Sequence, residues 1–241
     1  MTDLETPFDP KRPRFYLLDM DLRAEPDFDF TNEDVALIEQ RTAGTHVVQV
    51  RDTGYEYHIG VPTLAAKPEI VVGSRTRGKR PLDLYRGNGM FLSDRFKRLL
   101  DAIDPDAFEV AECLAFAPSG KPIDPYWWFD VVRVLDAVDE ERSELSRLVD
   151  NPFSSKSAIN EILYFKLQDI RMRPEVVGSA HLFRLAPARS DIIVDQVVAD
   201  AIRAEALFGV RLTPLQPPSP DERKNHFYFG NYPYWTDKGY T

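Results

Sequence analysis

The sequence predicts an α+β protein with mixed or antiparallel sheets and a few flanking helices. Short runs of β-branched and aromatic residues recur along the chain between turn residues, which is typical of strands. Helical periodicity is clearest in two segments, and each of them leads into such a run. The 241 residues, of which 43% are hydrophobic and 12% aromatic, are enough to bury a core in one large domain or two small ones.

The N-terminal third is predicted to contain four strands and one helix. The strands are expected at residues 15–18, 46–50, 55–59 and 70–72. A turn at residues 52–54 joins the second strand to the third. Thr31 suits the cap of a helix that runs to about Arg41, because acidic residues follow the cap and Gly44 can close the helix.

The clearest helix begins after Ser93, which suits the N-cap position. Its apolar face is formed by residues at helical spacing: Phe96, Leu99, Leu100 and Ile103. The pair Asp104-Pro105 ends this helix, and residues 107–115 are predicted to form a strand.

A second segment repeats this plan near the C-terminus. Asp195 takes the capping place that Ser93 has in the first segment, and Gly209 is predicted to be the C-cap. The apolar face is formed by Val194, Val197, Val198, Ala201 and Ile202. Residues 210–212 are expected to return as a strand.

The region between these segments is predicted to hold three strands and a helix. Residues 126–132 are aromatic and β-branched, which favours a buried strand. Residues 162–167 and 182–185 are also predicted to be strands, whereas the charged residues 136–150 are predicted to form a solvated helix.

Three units follow from these elements. Residues 1–85 are expected to form a small α+β subdomain, and residues 86–215 the main domain. Residues 216–241 contain a proline-rich linker and an aromatic tail, HFYFGNYPYWTDKGYT.

Charge and composition limit the class of function. The 30 basic and 39 acidic side chains give a net charge of −9, which argues against a nucleic-acid-binding surface and is compatible with a basic protein partner. Cys113 is the only cysteine, so we expect neither an intramolecular disulfide nor a cysteine zinc cluster. No signal peptide or membrane span is visible, and we therefore expect a cytoplasmic protein.

The stretch from Gly73 to Arg80, GSRTRGKR, resembles the phosphate-binding loop G-x-x-x-x-G-K-[ST]. That loop needs a final hydroxyl to bind Mg²⁺ and should open a long helix. Here Arg80 replaces the hydroxyl, and Gly87-Asn88-Gly89 would end any helix within about two turns of 3.6 residues each. We interpret the stretch as an exposed basic turn.

Four blocks carry a resemblance to a known family: MFLSDRFKRLLDAIDPDAFEV, YWWFDVVRVLDAVDEERSE, HLFRL and IIVDQVVADAIRAEALFGVRLTP. In order and spacing they resemble the eleventh immunity protein family of bacterial polymorphic-toxin loci, over roughly residues 70–215. The chain departs from the family pattern at Trp127-Trp128-Phe129-Asp130, where an aliphatic run is usual. It also departs at Asp195, where serine is usual, although both residues can cap a helix.

The resemblance implies a cytoplasmic protein that binds a cognate toxin, delivered by type VI secretion or by contact, and blocks it. It implies no catalysis, no cofactor and no catalytic residues. Nucleic acid and membrane are not expected as partners, and the protein is expected to be a monomer or a homodimer.

The residues themselves assemble no recognisable active site. None of the four histidines lies in H-x-x-x-H or H-E-x-x-H, so a metal site has little support. The acidic run Asp136, Asp139, Glu140 and Glu141 is interpreted first as a solvated helix face, and it is also the best internal candidate for contact with a basic toxin.

Aromatic residues supply the other candidates for toxin contact. Trp127 and Trp128 would point to opposite faces of a strand, so one of them is expected in the core and the other in the core or at an interface. Trp128 is taken as the candidate for toxin contact. The tail residues Tyr232, Tyr234 and Trp235 either fold back onto the domain or contact a partner.

Two other classes of function stay open at this point. A non-catalytic adaptor or scaffold of a secretion system would also be acidic and lack an active site. An enzyme built from dispersed residues would show a deep pocket with strongly perturbed titratable groups.

Overall fold

The computed structural model describes residues 14–21, 28–30, 46–49, 56–64, 66–72, 81–86, 89–148, 163–168, 170–186 and 188–216. The strands of the N-terminal half are β1 (Phe15–Met20), β2 (Phe28–Phe30), β3 (His46–Gln49), β4 (Glu56–Ile59), β5 (Glu69–Val72), β6 (Leu84–Arg86), β7 (Met90–Ser93) and β8 (Phe108–Phe116). Those of the C-terminal half are β9 (Tyr126–Val131), β10 (Val134–Leu135), β11 (Glu144–Leu148), β12 (Leu163–Gln168), β13 (Leu182–Leu185), β14 (Ala188–Asp195) and β15 (Val210–Pro214). The helices are α1 (Asp94–Ile103), α2 (Pro174–Val177) and α3 (Gln196–Ala204), with a 3₁₀ turn at Pro105–Ala107.

Two mixed sheets form the frame of the protein. The six-stranded sheet has the order β2-β5-β8-β9-β7-β6, in which β5 and β8 are parallel and the other neighbours antiparallel. The five-stranded sheet has the order β10-β13-β14-β1-β15, in which only β10 and β13 run parallel. With the three helices, these sheets confirm the predicted α+β class.

Both longer helices begin at the caps that the sequence predicts. The Ser93 hydroxyl accepts a hydrogen bond from the backbone N–H of Phe96 at 3.3 Å. The Asp195 carboxylate accepts one from the N–H of Val198 at 3.1 Å. Each cap satisfies an N–H that has no partner within its helix, and so each cap marks where a strand gives way to a helix.

The largest core lies where the two helices meet both sheets. α1 contributes Phe96 and Leu100, both fully buried, and α3 contributes Val198 and Ile202. Ala107 of the 3₁₀ turn and Ala199 of α3 also belong to this cluster. The sheets supply the other members: Tyr16, Leu18, Leu84, Leu92, Phe108, Phe129, Val131, Leu182, Ile192 and Val194. The apolar face of α1 is therefore confirmed. The predicted face of α3 is correct at Val198 and Ile202, but it is wrong at Val194, which lies in β14, and at Val197, which is 50% exposed because the helix begins only after Asp195.

Each sheet also has apolar side chains on its other face. On the five-stranded sheet, Phe15, Phe183 and Ile193 pack with Ile170 and Val177. On the six-stranded sheet, a third cluster contains Ile70, Val72, Phe91, Cys113, Ala115 and Tyr126. Alternate residues of one strand therefore reach different clusters, which is the period-two geometry of a strand.

Most predicted elements are confirmed. Strands lie at all four N-terminal positions, at residues 107–115, 126–132, 162–167 and 182–185, and after α3. β3 and β4 pair as antiparallel neighbours, as expected. The predicted helix at residues 31–41, the turn at residues 52–54 and the loop at residues 73–80 lie outside the described residues.

The prediction that Gly209 caps α3 is wrong. α3 ends at Ala204, and the left-handed residue that follows it is Ala206, with φ of 47°. Gly209 lies later, where the chain turns into β15 with φ of 77°. A Cβ atom there would lie 2.6 Å from Cδ2 of Leu82, so glycine is needed for a close approach of two segments and not for the helix end.

The three-unit division of the chain stays a prediction, but strands from both sides of residue 85 share the sheets. β1 pairs with β14 and β15, and β5 pairs with β8. Among the described helices, none is long and apolar enough to cross a membrane.

We expect Phe96→Ala to lower the free energy of unfolding by about 3–5 kcal/mol, because Phe96 is fully buried in the largest core. Arg98→Ala on the exposed side of the same helix should cost less than about 0.5 kcal/mol, since it removes only a surface ion pair with Asp94. Urea denaturation of both variants measures the difference. Similar losses would contradict the orientation of α1.

Candidate functional site

The acidic run lies in a connection and not in a helix. Residues 136–141 follow β10 and lead through a turn at residues 140–142 into β11, so the predicted helix at residues 136–150 is wrong. Ala137 and Val138 are buried, and Val138 forms a β-bridge with Met172. Burial against the segment before α2 therefore overrides the charge pattern that favoured a helix.

Arginines lie beside two of the acidic side chains, Asp136 and Asp139. Asp136 lies 3.4 Å from Nη2 of Arg173, and Asp139 lies 3.6 Å from Nε of Arg142. The backbone of Asp139 is fixed as well, because its carbonyl accepts a hydrogen bond from the Ser143 hydroxyl at 2.6 Å. The positive partners reduce the attraction that Asp136 and Asp139 can offer to a basic surface.

Glu140 and Glu141 stand on the turn itself and are exposed. They are the part of the acidic run that is best placed to attract a basic partner. Exposed carboxylates of this kind act over about a Debye length of 8–10 Å at physiological salt, so they can steer a partner before contact.

Trp128 belongs to the packing of the six-stranded sheet. Its ring lies 5.7 Å from that of Phe91 and packs against the third cluster. A Cβ atom at Gly89 would lie 2.9 Å from its Nε1 atom, so the indole also fills the space above this glycine. Trp128 is partly buried, and its role as a toxin contact stays a prediction.

Trp127 lies on the other face of the same strand, as expected for neighbouring residues. Its Nε1–H donates a hydrogen bond to Asp94 at 3.1 Å, and Nζ of Lys97 lies 4.8 Å from the ring centroid. The indole is therefore tied to the first turn of α1 and stays partly exposed there.

The structure does not bring the predicted contact residues into one site. Trp128 packs with the cluster on the outer face of the six-stranded sheet, whereas the acidic run adjoins the cluster on the five-stranded sheet. The tail residues Tyr232, Tyr234 and Trp235 lie outside the described residues.

A polar cluster that the sequence did not reveal joins Asp104, Arg133, His181 and Asp195. Oδ2 of Asp104 accepts hydrogen bonds from Nη1 of Arg133 at 2.5 Å and from the backbone N–H groups of His181 and Leu182 at 2.8 and 3.1 Å. Nδ1 of His181 lies 2.8 Å from Oδ2 of Asp195. Because these residues are far apart in sequence, no local motif indicates their meeting.

The hydrogen bonds of this cluster determine the charge of Asp104. Burial alone would raise the pKa of the carboxyl group, but the Arg133 guanidinium and the two backbone donors together hold its pKa below the usual value. Asp104 is thus a stable anion that joins the end of α1 to the start of β13.

The histidine–aspartate pair in this cluster has a structural explanation. Asp195 caps α3 with one carboxylate oxygen and holds the His181 ring with the other. The backbone of Asp195 also donates to the carbonyl of His181 at 3.1 Å. The pair therefore joins β13, β14 and α3, and these structural contacts account for its geometry.

Cys113 is a core residue, as predicted. It is fully buried among apolar side chains, and burial raises the pKa of its thiol to about 12. Such a thiol is not a nucleophile near neutral pH. Across the described ranges, no group of three or more histidine, cysteine or acidic residues is arranged to hold a metal ion.

Comparison with protein families finds one match that covers most of the chain. The model described as "Immunity protein family (Imm11)" matches residues 14–216. The match begins before β1 and ends after β15, so it includes the strands of both large sheets. A search of curated proteins found no match.

The polar cluster predicts how stability depends on pH. The pKa of Asp104 is lower in the folded protein than in the unfolded chain, so its contribution is present above the unfolded value of about 3.9 and is lost as the pH falls through the folded value. We expect Asp104→Asn to lower the free energy of unfolding by about 1–3 kcal/mol at pH 7.

The difference in free energy of unfolding between wild type and this variant should become smaller as the pH falls below about 4, since the wild-type carboxylate becomes protonated. Urea denaturation of both proteins from pH 7 to pH 3 measures this difference. Asp106→Asn, at an exposed carboxylate two residues away, is the control and should change stability by less than about 0.5 kcal/mol. A difference in free energy of unfolding that does not change with pH would contradict the charged state of Asp104.

Proposed function

Because the chain belongs to the Imm11 immunity protein family, we propose that it binds and neutralises one cognate toxin domain encoded by a neighbouring gene. The family match over residues 14–216 is the observation that carries this proposal. We further propose that the toxin is delivered by type VI secretion or by contact, and that the immunity protein meets it in the cytoplasm.

The proposed mechanism is binding and not chemistry. The polar clusters of the described residues have structural roles: Asp104 joins elements, and Asp195 caps a helix and holds His181. Neutralisation then follows from occupying the toxin surface that reaches its target, or from holding the toxin in an inactive shape. Such a mechanism needs affinity and a rigid surface, and it needs no proton transfer or bound cofactor.

Charge supports a basic partner. The net charge of −9 attracts a cationic protein at long range, and complementary charge raises association rates more than it raises affinity. We propose that Glu140 and Glu141 contribute to this steering, because they are exposed on a turn. Asp136 and Asp139 contribute less, since Arg173 and Arg142 lie beside them.

The experiment that tests the function is co-expression of the neighbouring toxin domain with this protein, scored by cell survival and by co-purification. Survival together with a stable complex supports direct neutralisation. Survival without a complex would favour protection of the target or an enzymatic antidote. Cell death despite full expression of a folded immunity protein would favour the adaptor alternative and overturn the proposal.

The steering role of the acidic turn gives a kinetic prediction. A variant with Glu140→Lys and Glu141→Lys should bind the toxin domain about tenfold more slowly at low salt. The reason is that two positive charges replace two negative charges on the turn and repel a basic partner. The difference should shrink at high salt, where exposed charges are screened. Stopped-flow or surface-binding measurements of the association rate at several salt concentrations check this.

A control variant carries Asp106→Lys and Glu205→Lys, at two exposed positions in the 3₁₀ turn and after α3. It changes the net charge by the same amount as the test variant but leaves the acidic turn intact. Equal slowing in both variants would show that only total charge matters and would remove the acidic turn from the proposal.

A further inference from the structure

The central strands of the six-stranded sheet are apolar on both faces. β5 reads EIVV, β8 FEVAECLAF and β9 YWWFDV. Antiparallel strands with one face in water usually alternate apolar and polar residues, whereas near-continuous apolar strands are typical of sheets covered on both faces. The sequence of these strands is therefore typical of a sheet that is covered on both faces.

Only part of one face is covered by α1. Towards the start of β8, Phe108 and Val110 reach the largest core. Further along the same face the side chains leave that core, and their exposure rises until Leu114 is 37% exposed, one of three exposed large hydrophobic residues in the described part of the chain. The rest of this face, which we call the open face, consists of the exposed Leu114 and five half-buried residues: Glu69, Val71, Glu112, Phe116 and Trp127.

Strand register places these six side chains together. Leu114 pairs with Glu69 and Phe116 with Val71 across β5 and β8, and Glu112 pairs with Trp127 across β8 and β9. The four apolar members belong to none of the three buried clusters that the described residues form. They form an apolar stripe across three strands, bordered by α1 through the Trp127 indole and Asp94.

Carboxylates and lysines both lie at the open face. Glu69 and Glu112 are members of it, Lys97 lies 4.8 Å from the centroid of the Trp127 ring, and the chain as a whole carries a net charge of −9. Glu112 is paired with Lys67 at 2.6 Å, but the two side chains are 38% and 53% exposed. An exposed ion pair of this kind contributes only about 0–1 kcal/mol, so a cation of a partner can replace Lys67 at little cost.

We propose that the open face is the surface that receives the toxin, and that its partner is a basic toxin surface with a projecting apolar side chain. The apolar stripe supplies the desolvated centre of the interface, and Glu112, which can exchange Lys67 for a cation of the partner, supplies an acceptor at its rim. Trp127 is already oriented for such contact because Asp94 and Lys97 hold its ring. Little side-chain entropy of Trp127 is therefore lost on binding.

This inference rests on the proposed function and names the contact surface within it. Other occupants of the same face are a second copy of this chain and residues 217–241, which include the aromatic tail. The experiment below separates the three.

Cysteine labelling tests the proposal. Leu114→Cys introduces an exposed thiol, whereas the native Cys113 is fully buried with its pKa raised to about 12 and stays unlabelled. The purified toxin domain encoded by the adjacent gene should slow maleimide labelling of Leu114→Cys about tenfold at saturation, because the interface excludes the reagent. Val197→Cys is the matched control, since Val197 is also an exposed apolar residue, 50% exposed, but lies on α3.

The outcomes are distinct. If the toxin binds and labelling at position 114 stays as fast as at position 197, the open face is not the contact surface and the proposed function still stands. If wild-type protein binds no toxin in the same assay, both proposals fail. If the Leu114→Cys variant alone is labelled slowly, and more slowly at higher concentrations of the variant, the open face would be assigned to a second copy of the chain. Fast labelling only after removal of residues 217–241 would assign it to the tail.

A second variant measures affinity. Leu114→Arg places a cation where a basic partner must dock and should weaken toxin binding about tenfold or more, whereas Val197→Arg should leave it unchanged. Thermal unfolding of both variants confirms that they fold. Equal affinity of the two variants would overturn the proposal.

Discussion

The architecture depends on one carboxylate. Asp104 ends α1, and its side chain receives Arg133 from the connection after β9 together with the backbone N–H groups that begin β13. This anion therefore fixes the end of a helix against strands from both sheets. Removing such a charge leaves buried donors without an acceptor, which costs more than the hydrogen bonds themselves contribute. The largest core keeps its shape because this joint keeps the helix and the two sheets in register.

Rigid joints of this kind recur at each junction between the sheets. Asp83 accepts hydrogen bonds from the Ser93 hydroxyl at 2.6 Å and from the N–H of Phe208 at 2.7 Å, which joins the start of α1 to the turn before β15. Arg184 bonds to Asp130 and to the carbonyl of Val131, so β13 is joined to β9. Charged side chains therefore join elements of the two sheets at these points. Such a frame suits the binding role that we propose, because a rigid surface loses little entropy on binding.

Local signals in the sequence were reliable where one residue type has one physical role. Ser93 and Asp195 could be assigned as caps because their side chains satisfy the first free N–H groups of a helix. The failures came from tertiary contacts. Val138 is held by Met172, 34 positions later in the sequence, and this pairing overrides the charged pattern around it. Gly209 was assigned to a helix end, whereas Leu82 packs against it from a distant part of the chain.

The candidate contact residues show the same difference between what local sequence signals predict and what depends on tertiary contacts. That Trp127 and Trp128 face opposite sides followed from strand geometry alone. Which side stays exposed depends on how far α1 extends over the sheet, and no pattern within one strand contains that information. The polar cluster of Asp104, His181 and Asp195 was equally hidden, because its members are joined only through the folded chain.

The position of β1 has a consequence for synthesis of the protein. β1 lies between β14 and β15, so its residues pair with partners that lie 174–198 positions later in the chain. At about 5–20 residues per second, the ribosome needs roughly 9–40 s to add the 174–198 residues that separate these partners. Tyr16 and Leu18 remain unburied during that time, and pairings between segments so distant in sequence form slowly. A nascent chain therefore cannot complete its main core until translation has passed Pro214. A truncation between β14 and β15 would leave β1 with one of its two neighbours, and a truncation before β14 would leave it with neither.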